Sequence, residues 1–125
     1  MNTETLNALK QVREAKTTIL SKLAGNSISP EEKRIVGEAL INLQEQENIL
    51  INFTLLSMVN KINASNAALE NIIQQMDQAS QKLSAISNTV KKISNVLSTL
   101  TEITTKALSA GLLGWFLIVV LKSAA

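Results

Sequence analysis

The chain has 125 residues, with 12 Lys and Arg against 10 Asp and Glu, two Phe, one Trp, one Pro and four Gly, and neither Cys nor His. A length of this order is one domain. The missing residue types exclude disulfides, thiolate and imidazole metal ligation, and imidazole acid–base chemistry. So few aromatic and turn-forming residues argue against a sheet, and the abundance of Ala, Leu, Ile, Lys, Gln, Glu, Ser and Asn predicts an all-α fold.

Residues 3–24 read as an amphipathic helix. Leu6, Leu9, Val12, Ile19 and Leu23 fall at helical spacings, and Glu4, Lys10, Arg13, Glu14, Lys16 and Lys22 take the other face. Glu4 near the start and Lys22 near the end suit the helix dipole. No apolar run of the kind found in a secretory leader precedes this helix, so no Sec signal peptide is expected. Gly25-Asn26 is a stop signal. Ser29-Pro30-Glu31-Glu32 is a start signal, with an N-cap hydroxyl, a Pro at the first helical position and a Glu three residues after the Ser. A connection of roughly five residues (25–29) predicts an antiparallel helical hairpin over residues 1–62.

From Pro30 onward there is no further Pro. Between Ile49 and Ile62 apolar residues cover most of the helix circumference. Asn60, Asn63, Ser65 and Asn66 then lower helix propensity. They predict either a bend or a polar layer, and the unbroken heptad phase across them favours continuity.

Residues 63–106 carry a coiled-coil pattern. One column of apolar side chains recurs every seven residues at Ile62, Leu69, Met76, Leu83, Val90 and Leu97. A second reads Ile72, Ala79, Ile86, Ile93, Leu100 and Ala107. These are a and d positions of a heptad. The flanking columns, Ser80, Ser87, Ser94, Thr101 and Lys82, Thr89, Val96, Ile103, hold few charges to choose a partner. One helix from Pro30 to Leu121 would measure roughly 135 Å at about 1.5 Å per residue. It must fold back or associate. The first helix, at most about 33 Å long, is too short to shield the whole seam. A second copy or another helical protein is therefore expected against Leu69, Ile72, Met76, Leu83, Ile86, Val90, Ile93, Leu97 and Leu100.

The final segment, 107–125, is expected to meet a membrane. Ala107 to Leu121 carries no charge, yet it falls short of the roughly 20 residues that span a bilayer. Its apolar face is Leu112, Leu113, Trp115, Phe116, Leu117, Ile118, Val119, Val120 and Leu121. Two small-xxx-small pairs, Ala107/Gly111 and Ala110/Gly114, permit close helix contacts in lipid. Residues 1–77 hold seven basic and nine acidic side chains. Residues 78–125 hold Lys82, Lys91, Lys92, Lys106 and Lys122 against Glu102 alone. This bias suits an anionic bilayer, with Lys91, Lys92, Lys106 and Lys122 at the head groups. The lysines are too dispersed, with no aromatics between them, for nucleic acid. Membrane association through the C-terminal segment, with the N-terminal part in the cytoplasm, is the expected arrangement.

No carboxylate pair, nucleophile–base pair, phosphate loop or metal-ligand spacing stands out. Glu31-Glu32 opens a helix, and Glu45 and Glu47 do not share a face. No enzymatic activity, cofactor, metal or small-molecule substrate is expected. Two functions suit the pattern. One is a membrane-anchored oligomeric helical scaffold acting through coiled-coil association. The other is a membrane-permeabilising protein that oligomerises and inserts its C-terminal segment. The latter outline is similar in kind to α-helical pore-forming toxins, secretion translocators and phage lysis proteins, with no diagnostic motif of any of them.

Overall fold

A computed structural model describes residues 2–25, 28–83 and 88–124, and the side chains of all these except 80–83, 123 and 124. Four helices follow one another: α1 (Thr3–Leu23), α2 (Pro30–Asn52), α3 (Leu55–Leu83) and α4 (Asn88–Ala124). There is no strand among the described residues.

The ends of the first two helices have local causes. Asn2 caps α1, its Oδ1 accepting from Thr5 N–H at 2.8 Å. Gly25, just beyond the helix, takes φ 75, a left-handed conformation that costs glycine little. Ser29 and Glu32 form the reciprocal capping box, with Glu32 N–H donating to Ser29 Oγ at 3.2 Å and Ser29 N–H to Glu32 Oε1 at 3.3 Å.

The long helix expected from Pro30 is instead three helices. α2 ends at Asn52, and Phe53 turns extended (φ −122, ψ 158). The Thr54 carbonyl then accepts the first backbone bond of α3, from Met58 N–H at 2.8 Å. Neither Pro nor Gly marks this corner. α3 is described as far as Leu83 and α4 from Asn88. Through Asn60–Asn66 α3 runs unbroken, so the polar-layer alternative describes that stretch.

The helices stack around one core as an up-down-up-down bundle, α1–α2–α3–α4, closed by α4 against α1. The most extensive packing is α1 on α4 and α3 on α4, with α1 on α2 the lightest of the four neighbouring pairs. Side-chain pairings fix the directions. Asn42 of α2 donates to the Ser65 carbonyl of α3. Asn66 of α3 reaches Thr104 and Thr105 of α4. On α1, Glu4 lies against Gly111, and Gln11 and Thr18 share a groove with Asn95 and Ile103.

Core residues come from all four helices, among them residues of each expected region, 1–62, 63–106 and 107–125. The boundary at 62/63 falls inside α3 and that at 106/107 inside α4. Among the described residues the heptad seam is covered within the chain. Ile62, Leu69, Met76, Val90, Ile93, Leu97 and Leu100 are all buried in the bundle core, and Ile72 nearly so. Two helices that each present one stripe to a common core satisfy the same seven-residue period as a helix facing a foreign partner. The stripe therefore does not require another chain.

Candidate membrane-contact site

α4 is longer than the bundle. Its first two dozen residues pack against α1 and α3, with Leu108 and Gly111 the last buried ones and Leu112 half-buried. Beyond them the helix continues into open space. Leu113, Trp115, Phe116, Leu117, Ile118, Val119, Val120 and Leu121 are all exposed, from 40% at Val119 to 69% at Leu121. The Trp115 and Phe116 rings meet edge to face with centroids 5.2 Å apart. Asn88–Lys122 is long and apolar enough to cross a membrane by length and composition, and only 17% of its most apolar window is buried.

The small residues divide. Gly111 belongs to the bundle: a Cβ there would lie 2.9 Å from both Cβ and Cγ of Glu4, so its missing side chain lets α1 approach α4. Ala107 is half-buried and Ala110 exposed. Gly114 lies outside the packed region, and a methyl group on its Cα would find nothing within 4 Å. Lys106 and Lys122 are exposed at either end of the apolar run. Lys91 and Lys92 are exposed too, but Lys92 stands about 30 Å up the helix from Leu112 at 1.5 Å per residue. Of the seam residues, the Leu83 side chain and Ile86 lie outside the described residues.

The end of the bundle from which α4 projects also holds the start of α1 and the α2–α3 corner. Thr5 Oγ1 lies 3.7 Å from Met58 Sδ, one turn into α3. At this corner Ile51, Phe53 and Leu56 are exposed, and the Lys61 ammonium sits 4.5 Å above the Phe53 ring. The helical periodicity masks this feature in the sequence.

The opposite end is charged. Arg34 donates to Glu31 at 2.6 Å and to Glu38 at 3.0 Å. The hydrogen bond from Arg34 holds the Glu31 carboxyl below its usual range, and the Arg34 guanidinium is correspondingly raised. What this pairing adds is present above the ordinary carboxylate pKa and is lost as pH falls through the lowered value, and solvent screens it. Along the α1–α2 flank, Glu47 accepts from Lys16 at 3.3 Å and pairs with Arg13 at 3.8 Å.

Inside the bundle a polar layer joins three helices. Gln46 Nε2 donates to Asn42 Oδ1 (3.1 Å) and Asn66 Oδ1 (2.7 Å), and Asn66 Nδ2 donates to Thr104 Oγ1 (3.0 Å) and Thr105 Oγ1 (3.1 Å). Thr104 falls seven residues after Leu97 and Ser65 seven before Ile72, so the layer interrupts the apolar columns themselves. Gln46 is fully buried, and its Oε1 has no hydrogen-bond partner among the described residues. No group of three or more His, Cys, Asp or Glu among the described residues could hold a metal ion. The α1–α4 groove, about 330 Å³ and shallow, contains Glu14 as its one charged side chain among the described residues. No protein-family model matches the chain, and comparison with curated proteins and with solved structures finds none similar to it.

Proposed function

We propose that the protein is a membrane-anchored helical bundle, a scaffold held to a bilayer by the free end of α4. The observation that carries this reading is the run Leu113–Leu121: a continuous, exposed, uncharged helix that leaves an already closed core. An apolar cylinder of this kind in water is an association site or a lipid site. Nine residues rise about 13 Å at 1.5 Å each, close to half of a hydrocarbon core of roughly 30 Å. With the bundle intact, α4 therefore embeds in one leaflet. Lys106 can keep its ammonium group in polar surroundings. Lys122 follows the apolar run, about 13 Å beyond its start, and reaches the near head groups only where the projecting end lies oblique to the bilayer; Lys91 and Lys92 stand clear of that surface.

Assembly into homo-oligomers belongs to the same proposal, with a different surface from the heptad seam. Ala110, exposed on the outer face of α4, and Gly114, one turn further on, share a stripe and allow two such helices to approach closely at the membrane surface. The reading takes the protein as non-enzymatic, with lipid and its own copies as partners.

Flotation with vesicles of phosphatidylcholine and phosphatidylglycerol tests the anchor. The full chain should float, and a chain ending at Leu112 should stay in solution as a folded helical protein. Equal flotation of the two would sink the proposal.

A permeabilising activity is the second reading, favoured by the polar layer. Opening the bundle would present Ser65, Asn66, Thr101 and Thr104 on faces that border apolar stripes, and release of α4 would lengthen its apolar reach. Dye release from the same vesicles by the full chain would favour this reading over a static anchor.

A further inference from the structure

We infer that the α2–α3 corner is a second lipid contact, with Ile51, Phe53 and Leu56 seated at the boundary between head groups and acyl chains in the leaflet that α4 enters. The inference rests on the anchoring role of α4 and adds a second foot to it.

Four observations converge on this corner. Between Glu47 and Lys61 no residue is charged, a run covering 48–60. Corners between helices in a water-facing bundle are ordinarily polar; the uncharged stretch at the α1–α2 connection, 23–30, is shorter and leads straight into Glu31, Glu32, Lys33 and Arg34 in the first turn of α2. Within the uncharged run, Ile51, Phe53 and Leu56 are 48%, 41% and 53% exposed.

The corner also lies at the right level. Met58 touches Thr5, and the adjacent Glu4 packs on Gly111. Phe53 is about a turn below Met58, which places it alongside the first exposed turn of α4, some 5–7 Å below Gly111 at 1.5 Å per residue. A bilayer that receives Leu113–Leu121 meets the corner without any movement of the bundle. Finally, Lys61 is positioned as a head-group contact. Its ammonium lies over the Phe53 ring, and a lysine can keep its charge in the polar zone while its stem lies on apolar surface. Among the described residues, the end of the molecule away from α4's exit has no comparable patch and carries Lys33, Arg34, Lys91 and Lys92 on exposed positions. Contiguous exposed apolar surface is thus concentrated at the end from which α4 leaves, with Leu20 and Ile41 exposed singly elsewhere.

The absence of native Cys makes the test direct. Single substitutions Phe53→Cys, Leu56→Cys and, at the far end, Leu20→Cys, each labelled with an environment-sensitive fluorophore, are mixed as full chains with phosphatidylcholine–phosphatidylglycerol vesicles. Trp115, the single Trp, reports α4 in the same samples. Blue-shifted emission at 53 and 56, quenched by lipids spin-labelled near the head group, with no change at 20, supports the second foot. Insertion of Trp115 with aqueous emission at 53 and 56 overturns it and leaves the anchor standing. A blue shift at 53 that grows with protein concentration in the absence of vesicles assigns the patch to a second copy of the chain and also overturns it. If Trp115 itself stays in water, both the anchor and the second foot fall. In a label-free arm, Phe53→Ser combined with Leu56→Ser should weaken vesicle partitioning about tenfold or more, with Leu20→Ser leaving it unchanged; an unchanged double variant contradicts the proposal.

Discussion

Gly111 and Gly114 are three residues apart on one helix, yet a methyl group meets opposite surroundings at the two. At Gly111 it would strike the Glu4 side chain near its base, whereas at Gly114 it would meet nothing within 4 Å. Gly114→Ala should leave the unfolding free energy within about 0.5 kcal/mol, because the residue lies beyond the core. Gly111→Ala should destabilise, because its methyl group forces the base of the Glu4 side chain aside, and Gly111→Leu should lose about 1–3 kcal/mol to overpacking. Urea unfolding in mild detergent measures all three, and equal responses at both sites would contradict the α1–α4 contact. The small-xxx-small spacing was legible in the sequence. Which pair serves the bundle and which remains outside it was not, because that depends on where α1 stops.

Asn66 presents the same lesson in polar form. Its side chain is held by Gln46 and by two threonines of α4. Asn66→Leu removes the acceptor from one Gln46 bond and leaves a buried amide short of a partner, which should cost about 1–3 kcal/mol. Replacing Gln46 by Leu as well should recover part of that loss, since apolar groups on both sides leave less polar surface unsatisfied. A double variant less stable than either single one would show that the layer contributes more than mutual satisfaction. The run of Asn and Ser at 60–66 already allowed for such a layer; its partners on α2 and α4 are set by folding and carry no local signature.

At the scale of elements, sequence signals were strongest where backbone chemistry alone decides. Gly25, Ser29 and Pro30 bound the end of α1 and the start of α2 through caps that act within four residues, whereas the Asn2 cap of α1 was not singled out in the sequence. The corner at Phe53-Thr54 has no such residue, and the break follows from helices folding back to share a core. The heptad columns marked the buried faces of α3 and α4 correctly, but a stripe does not state whether its cover lies in the same chain. The same helix α4 is both core and projection, and the boundary falls at Leu112, not at the charge boundary Lys106. A chain ending at Leu112 should therefore unfold within about 0.5 kcal/mol of the full protein. A chain ending at Lys106 discards buried Leu108 and should lose about 2–3 kcal/mol or more. Circular-dichroism melts of both forms decide this, and equal melts would place the core boundary elsewhere.

At the scale of the whole molecule, the bundle has two unlike ends. One carries the Glu31–Arg34–Glu38 ion pairs; the other carries an uncharged corner and a bare apolar helix. The sequence revealed the apolar segment, but not how far along α4 each lysine stands from its exposed part. Lys91 and Lys92 are near the segment in sequence and about 30 Å from its exposed part along a rigid helix. Under the proposed function such a molecule stands on a bilayer with α1–α3 in water and α4 entering lipid. The most direct measurement is the quenching of Trp115 by phospholipids brominated at successive depths of the acyl chain, on the intact protein with its bundle still folded. The account predicts strong quenching at a depth within the first leaflet and an emission blue-shifted from that in buffer; a Trp115 that stays unquenched, with the same emission whether or not vesicles are present, would contradict it.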